Sequence, residues 1–522
     1  TVNPLPVAIA TLSAQEICSG TSNSPIILSS SLIGTTFDWT RTSPAGITTL
    51  QPASGSSVAI GGSIPSASFA NSTTSPITIT YTITPKGPTP TFCIGTQITA
   101  TITVNPIPSV NSASTKTICN NTNVSYTPTS AVAGTTFAWT ASILTAPTAG
   151  TITGFTSGSA AINNVLVNSG TSSGVVRYVI TPTGPATTNC TGTPFNFDVT
   201  VRPTPDVIAT PNVQTFCSGA TTAIVLSTNV PGTTFYYAAP AISGAAGNIT
   251  GGVARVTPGN TSNIANTLVN TTAAVQTATY TVFPIINGCV GTAITVVITV
   301  NPVPIVTTGL VQGLCTDATF TTASSNLALT TTPAMTGALF TYAAPTLTGG
   351  MTGGSARVVG STAAITDTFV NNTNTVQTAT YSVTATAPSG LGGCIGLPKN
   401  VVITVYPRSL INSSLTKTVC SGSALGYTIT SNVASSTFTW TRAVVAGISN
   451  AVGSGSGPSI NETLINTTGS AIDVSYILTP KGPSPGNCDG TPSTLVVTVN
   501  PLPTAFTVTG GGSYCSGGTG VL

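Results

Sequence analysis

Histidine is absent from all 522 residues, and methionine occurs only twice. Without imidazole there is no Ser-His-Asp or Cys-His relay, and most zinc and iron sites lose their usual nitrogen ligand. Charge is nearly as scarce. Twelve Lys and Arg and nine Asp and Glu make up 4% of the chain, against about 25% in an ordinary soluble domain. The basic residues never form a run, so there is no electrostatic footprint for nucleic acid or an anionic membrane. The acids Glu16, Asp38, Asp198, Asp206, Asp317, Asp367, Glu462, Asp473 and Asp489 read as scattered, without a shared position. The nearest pair, Asp198 and Asp206, straddles Pro203 and Pro205 and does not read as the facing carboxylates of a glycosidase. Calcium-loop and Walker signatures are missing, and the glycine-rich stretches 453–458 and 509–512 lack the following lysine of a phosphate loop. No apolar run approaches the ~18 residues of a spanning helix, and no window carries a 3.6-residue apolar period. These absences argue for a protein with no catalytic residues, no cofactor and no metal.

Thr, Ser, Gly, Asn, Val, Ile and Ala fill the space left by charge, a mixture suited to strands and turns and poorly suited to helices. Stretches such as 77–85 and 401–405 alternate apolar residues with Thr and Ser. The dominant feature is a repeat of about 100 residues. Cys18, Cys119, Cys217, Cys315, Cys420 and Cys515 each precede a short polar turn; Cys93, Cys190, Cys289, Cys394 and Cys488 lie between them, most followed by x-Gly-Thr. Eleven cysteines thus make five pairs and one remainder, Cys515, which reads as the first cysteine of a sixth repeat.

Each repeat also carries an aromatic pair spaced by two, which places both rings on one face of a strand. The pairs are Phe37/Trp39, Phe137/Trp139, Phe235/Tyr237, Phe340/Tyr342 and Phe438/Trp440, the expected core aromatics. A later strand holds Tyr81, Tyr178, Tyr280, Tyr381 and Tyr476, each similar to the tyrosine corner of Ig-like sandwiches. Ten residues before each stands Asn71, Asn168, Asn270, Asn371 or Asn466, a constant offset that reads as a turn closed by the amide side chain. Each repeat ends in an alternating strand followed by Pro-x-Pro, at 4–6, 106–108, 203–205, 302–304 and 501–503; the joint at 405–409 keeps only Pro407. Two prolines one residue apart make a stiff extended connection. The boundaries placed there are 1–4 for the end of a preceding repeat, then 5–105, 106–202, 203–301, 302–406 and 407–500 for five full repeats, and 501–522 for the start of a sixth. The first residues read as the end of a strand, so the natural N-terminus is expected upstream.

Six to eight short strands per repeat, punctuated by Gly, Pro, Asn and Ser, predict an all-β tandem array of Ig-like antiparallel sandwiches. The expected disulfides lie within repeats, Cys18–Cys93, Cys119–Cys190, Cys217–Cys289, Cys315–Cys394 and Cys420–Cys488, clipping two loops at one end of each sandwich. Closing 68 to 79 residues would stabilise each by about 4 kcal/mol in the chain-entropy model. Metal binding by these cysteines is disfavoured, because no CxxC, His or acidic cluster accompanies them. Disulfides imply an oxidising, extracellular location. Lys86 and Lys481 share a Thr-Pro-Lys-Gly-Pro turn and read as surface lysines and not isopeptide donors. Asn-x-Ser/Thr sequons, as at Asn248 and Asn461, read as turn chemistry.

The string of Cys-Ser-Gly, Thr-Phe-x-Trp-Thr, Asn-x-Thr-Leu-x-Asn-Thr-Thr, Tyr-x-x-Thr-Pro, Cys-x-Gly-Thr-Pro and Val-Thr-Val-Asn-Pro, clearest over 420–500, resembles the PKD-like and Ig-like repeats of giant Bacteroidetes surface proteins. The resemblance covers about residues 4–500. It implies type IX secretion, bacterial cell-surface location, anchoring through a C-terminal domain, and gliding or adhesion. The third and fourth repeats depart from it by carrying Tyr for Trp. The expected role is a structural stalk or adhesin segment of a very large secreted protein, a rod of ~200 Å from five modules. A self-assembling extracellular fibre subunit and a glycan-binding module are the alternatives. Expected partners are neighbouring repeats, surface glycans or other copies of the chain, with neither nucleic acid nor membrane insertion.

Overall fold

A computed structural model describes residues 2–505 and 507, apart from 188, 260–261, 309–312, 317–326 and 363. Asp317, the glycines at 510–512 and Cys515, with most of the expected sixth repeat, lie outside the described residues. The described chain is all-β, and its one helical element is a 3₁₀ turn at Ser389–Leu391.

The first module shows the plan. Its strands are β1 (Ile9–Ala10), β2 (Ala14–Cys18), β3 (Ile26–Ser29), β4 (Thr36–Arg41), β5 (Ile47–Thr48), β6 (Ser54–Ala59), β7 (Ser63–Ile64), β8 (Ala70–Asn71), β9 (Ile77–Lys86) and β10 (Ile98–Asn105). One sheet runs β2-β10-β9-β4-β6; facing it are the short β1-β3-β7 sheet and the β5-β8 pair. Ile79, Tyr81 and Ile83 of β9 point inward in strict alternation, as do Ala100, Ile102 and Val104 of β10, the period of two expected of a sheet with one buried face. Pairing is antiparallel except for β2, which lies parallel to β10 with Cys18 opposite Asn105. That parallel pair recurs in every module: Thr115–Cys119 on Phe195–Arg202, Val213–Cys217 on Ile294–Asn301, Leu314–Cys315 on Lys399–Tyr406 and Thr416–Cys420 on Ser493–Asn500. Five separate hydrophobic cores result, one per module.

Nine of the ten aromatic-pair rings are buried; Phe137 is half-buried at the edge of its core. The second ring of each pair meets the strand tyrosine, with centroids 5.0 to 5.7 Å apart. Those five tyrosines are fully buried rings, and each hydroxyl finds an acceptor, as a buried phenol requires. The acceptor is a side chain and not the upstream backbone, so the tyrosine-corner expectation is corrected. It stands 14 residues before the tyrosine in four modules: Asn164, Asn266, Asp367 and Glu462. In the first module Gln51 serves instead. Asp367 and Glu462 therefore do share a position, which corrects the reading that the acids have none. Variation among Asn, Asp and Glu conceals the position in the sequence.

Candidate functional site

The residues that recur most faithfully converge on the joints between modules. The buried asparagine is the first. Asn71 Nδ2 donates to the carbonyls of Ser75 and of Val104, the latter in β10, while its Oδ1 accepts from Thr73 N–H. Asn168, Asn270, Asn371 and Asn466 repeat both donations, to Val201, Val300, Val405 and Val499 of the last strand. The backbone N–H of each asparagine donates in turn to the residue just after the strand cysteine: Ser19, Asn120, Ser218, Thr316 or Ser421. Ser19 N–H also donates to the Asn105 carbonyl, and Ser218 and Ser421 do the same to Asn301 and Asn500. The cysteine is thereby held at the end of the module from which the chain leaves.

The other cysteine sits at the opposite end. Cys93 lies in the loop between β9 and β10, before β10 begins at Ile98, whereas Cys18 lies opposite the last residue of that strand. A strand of eight residues separates them by roughly 25 Å, while a disulfide holds its Cα atoms within about 7 Å. A bridge within the repeat is excluded by that span, and the expected pairing is corrected. The bridges run from each module to the next: Cys18–Cys190, Cys119–Cys289, Cys217–Cys394 and Cys315–Cys488, with Cα separations of 5.5 to 5.7 Å. Cys93 and Cys420 have no disulfide partner among the described residues. Each bridge spans 170 to 177 residues, which in the chain-entropy model is about 5 kcal/mol.

The loop after the second cysteine closes the joint. A Cβ on Gly192 would lie 1.9 Å from the carbonyl oxygen of Pro108. Gly95, Gly291, Gly396 and Gly490 stand equally close to the carbonyls of Pro6, Pro205, Pro304 and Ser409. Only glycine admits the joint backbone so near, which is the physical reason for Cys-x-Gly. The joint that lacks its second proline compensates differently. Tyr406 replaces the usual asparagine there, and Gly313 and Gly486 face its ring where a Cβ would clash; Ser409 is wholly buried and bonds Ser436 at 2.8 Å. Direct hydrogen bonds add to the joints: Asn120 to Thr204, Arg202 to the Asn287 carbonyl, and Asn432 to Asn374. An open apolar groove of about 630 Å³ lies beside the joint of the third and fourth modules, lined by Cys217, Val269, Val303, Ile395 and Leu397.

The family of domains that matches this sequence is the PKD-like domain, over residues 15–108, 116–205, 214–304, 314–409 and 417–503. The chain belongs to the PKD-like domain family. No curated protein matches it. Among solved structures, the PKD-like array is similar to Drosophila N-cadherin EC1-4 at 10% identity, covering 76% of this chain and 98% of that one. It is also similar to the N-terminal eight Ig domains of Down Syndrome Cell Adhesion Molecule at 11% identity, covering 96% and 71%, and to Sidekick-1 immunoglobulin domains 1-5 at 9%, covering 96% and 99%. The TM-score is 0.20 in each case, so these likenesses carry no argument about function.

Among the described residues of the PKD-like modules, eight charged side chains form four ion pairs. Lys86 meets Asp38, Lys481 meets Asp489 at 3.6 Å, and Arg177 grips Asp198 through two contacts of 2.8 Å. The lysines of the Thr-Pro-Lys-Gly-Pro turn therefore serve surface ion pairs, worth little each. Arg442, a buried cation, binds Glu462, and Tyr476 donates to the same carboxylate at 2.6 Å. Burial pushes the Glu462 carboxyl up, but the hydrogen bonds from Arg442 and Tyr476 outweigh it and hold the group below the usual range. Among the described residues no three His, Cys, Asp or Glu side chains form a metal-binding group, and no helix is long and apolar enough to cross a membrane.

Proposed function

We propose that this chain is a non-catalytic structural segment of an exported surface protein, a series of PKD-like modules that holds an adhesive tip away from its anchorage. The observation that carries the reading is the joint. Every joint between two described modules is crossed by one peptide and one disulfide, and residues recurring in all five modules hold those crossings in place. A protein whose recurrent chemistry sits at its joints, and whose polar groups are spent on turns and caps, is built for shape. The disulfides support an oxidising, extracellular location. Placement in a very large Bacteroidetes protein, exported by type IX secretion for adhesion or gliding, rests on the resemblance of the repeat motifs alone. The module boundaries in their finer positions rest on the Pro-x-Pro joints of the sequence.

Lateral association into a fibre is the second reading, favoured by one observation. The strand Arg357–Ser361 forms a sheet edge in the fourth module and exposes Val358 and Val359, an edge little guarded by charge. The test is small-angle scattering of the oxidised chain across a concentration series, together with binding to glycan arrays and cell surfaces. A monomeric elongated particle that binds nothing supports the stalk. Saturable binding abolished by loop substitutions overturns it in favour of an adhesive module, and concentration-dependent growth lost in Val358→Lys overturns it in favour of a fibre.

A further inference from the structure

The connectivity of the bridges has a mechanical consequence. In each module the parallel pair, β2 and β10 in the first, spans the direction from the entry loop to the exit joint. A peptide joins the last strand of one module to the first strands of the next. A disulfide joins the first-strand cysteine of one module to the loop that precedes the last strand of the next. Traced covalently, one route runs through residues 1–18, 190–217 and 394–420, crossing at Cys18–Cys190 and Cys217–Cys394. The other runs through 93–119, 289–315 and 488–503, crossing at Cys119–Cys289 and Cys315–Cys488. At every joint one route crosses by peptide and the other by disulfide, and at the next joint they exchange.

We propose that these two routes act as paired rails that limit how far the array can be stretched, so that the PKD-like segment is an inextensible tether even after its modules unfold. All the strands from β3 to β9, and their counterparts, hang between the rails as closed loops. Each module's core lies mostly in those loops and in the inner face of the last strand. Tension along the chain is carried by the rails, so melting a core adds almost no length. A chain pulled from its two termini must pass from one rail to the other once. The shortest covalent route changes rail in the second module, running 1–18, from 190 back to 119, then 289–315 and 488–522, and contains roughly 150 of the 522 residues, a maximum extension near three tenths of that of the uncrosslinked chain. The rails are also redundant. Removing any one bridge leaves a route of roughly 150 to 180 residues. Removing one bridge from each rail, Cys217–Cys394 and Cys315–Cys488, lengthens it to roughly 320.

The test is single-molecule pulling of the whole oxidised chain by its termini, before and after adding a reductant. The oxidised chain is expected to show at most one release of a module's length and to stop near three tenths of full extension, whereas the reduced chain releases its modules one after another. Cys217→Ser with Cys394→Ser is expected to change the limit by less than a tenth; adding Cys315→Ser with Cys488→Ser is expected to about double it. Full extension of the oxidised chain overturns the proposal, as does a single bridge removal that lengthens the limit as much as the double one. If the serine variants do not fold, stepwise reduction of the wild-type chain reads the same limits. A non-reducing peptide map that found Cys119 joined to Cys190 would also overturn it. The rails stand or fall on connectivity and extension, so their failure leaves the stalk reading to its own scattering and binding test.

Discussion

The first, second and fifth modules solve one packing problem differently from the third and fourth. In the former, Trp39, Trp139 and Trp440 lie opposite Gly55, Gly158 and Gly455 on the neighbouring edge strand. A Cβ on any of these glycines would approach the indole to 2.6 Å. In the latter, Tyr237 and Tyr342 lie opposite Arg255 and Arg357, whose guanidinium groups sit 5.2 and 4.9 Å from the ring centroids. A large ring with no side chain across from it has become a smaller ring under a long one. What is kept is the filled cross-strand pair, the unit of sheet packing. The Trp solution has a cost that the Tyr solution avoids: the indole N–H groups of Trp139 and Trp440 are buried without a hydrogen-bond partner. The Tyr solution in turn leaves Val256, Val358 and Val359 exposed on the same edge strand.

The severest way to break the comparison is to mix its halves. Gly455→Arg with Trp440 retained forces a side chain into space the indole fills. Overpacking of this kind costs about 3 kcal/mol, and the fifth module should lose amide-exchange protection along Ile472–Lys481 while the other modules keep theirs, their cores being separate. Unchanged protection would show that the edge strand can move aside. Completing the exchange with Trp440→Tyr should restore part of the loss. A double-mutant cycle in the whole chain should return a favourable coupling of about 1.5 kcal/mol between the two sites. Additive losses would mean that the Trp–Gly and Tyr–Arg pairs are coincidental. A smaller effect is expected for Arg357→Ala, which removes a guanidinium and its aliphatic stem from the Tyr342 ring. About 1 kcal/mol in the fourth module, read by the same exchange experiment, fits a partly exposed cation–π contact.

The repeat, the all-β class, the buried aromatic pairs and the turn-closing asparagines were legible in the sequence because each rests on a fixed spacing that the strand period converts into a face. The disulfide register was not legible. Cys18 and Cys93 recur with every module, but recurrence says only that each module supplies two half-cystines, never which end each occupies. The deciding feature is the parallel pairing of β2 on β10, which carries Cys18 to the exit end, and a five-residue strand bears no mark of whether it pairs parallel or antiparallel. The tyrosine cap was hidden for another reason. Any side-chain acceptor of suitable length satisfies a phenol, so Gln51, Asn164, Asn266, Asp367 and Glu462 share a role without sharing a residue type.

That last variety permits a comparison within one chain. The second and third modules cap their tyrosine with an amide that does not titrate, the fifth with the carboxylate of Glu462. Because the folded state lowers the pKa of Glu462 below its ordinary value of 4.5, the unfolded chain binds the proton more readily. The stabilisation is then fully present above that ordinary value and is lost as pH falls through the lower, folded one. Protonation would also leave the buried Arg442 beside a neutral partner, which is unfavourable for a desolvated cation. Amide protection of Ile472–Lys481, corrected for the intrinsic pH dependence of exchange, should therefore decline as the solution is acidified below about pH 4.5. Asp473 and Asp489 are carboxylates of the same module, so the contribution of Glu462 is isolated with Glu462→Gln. That variant keeps an acceptor for Tyr476 but removes the titrating group; it should be less stable at neutral pH and flatter on acidification. An equal acid loss in both chains would place the sensitivity elsewhere and reduce the carboxylate to another acceptor, equivalent to the asparagines of the second and third modules.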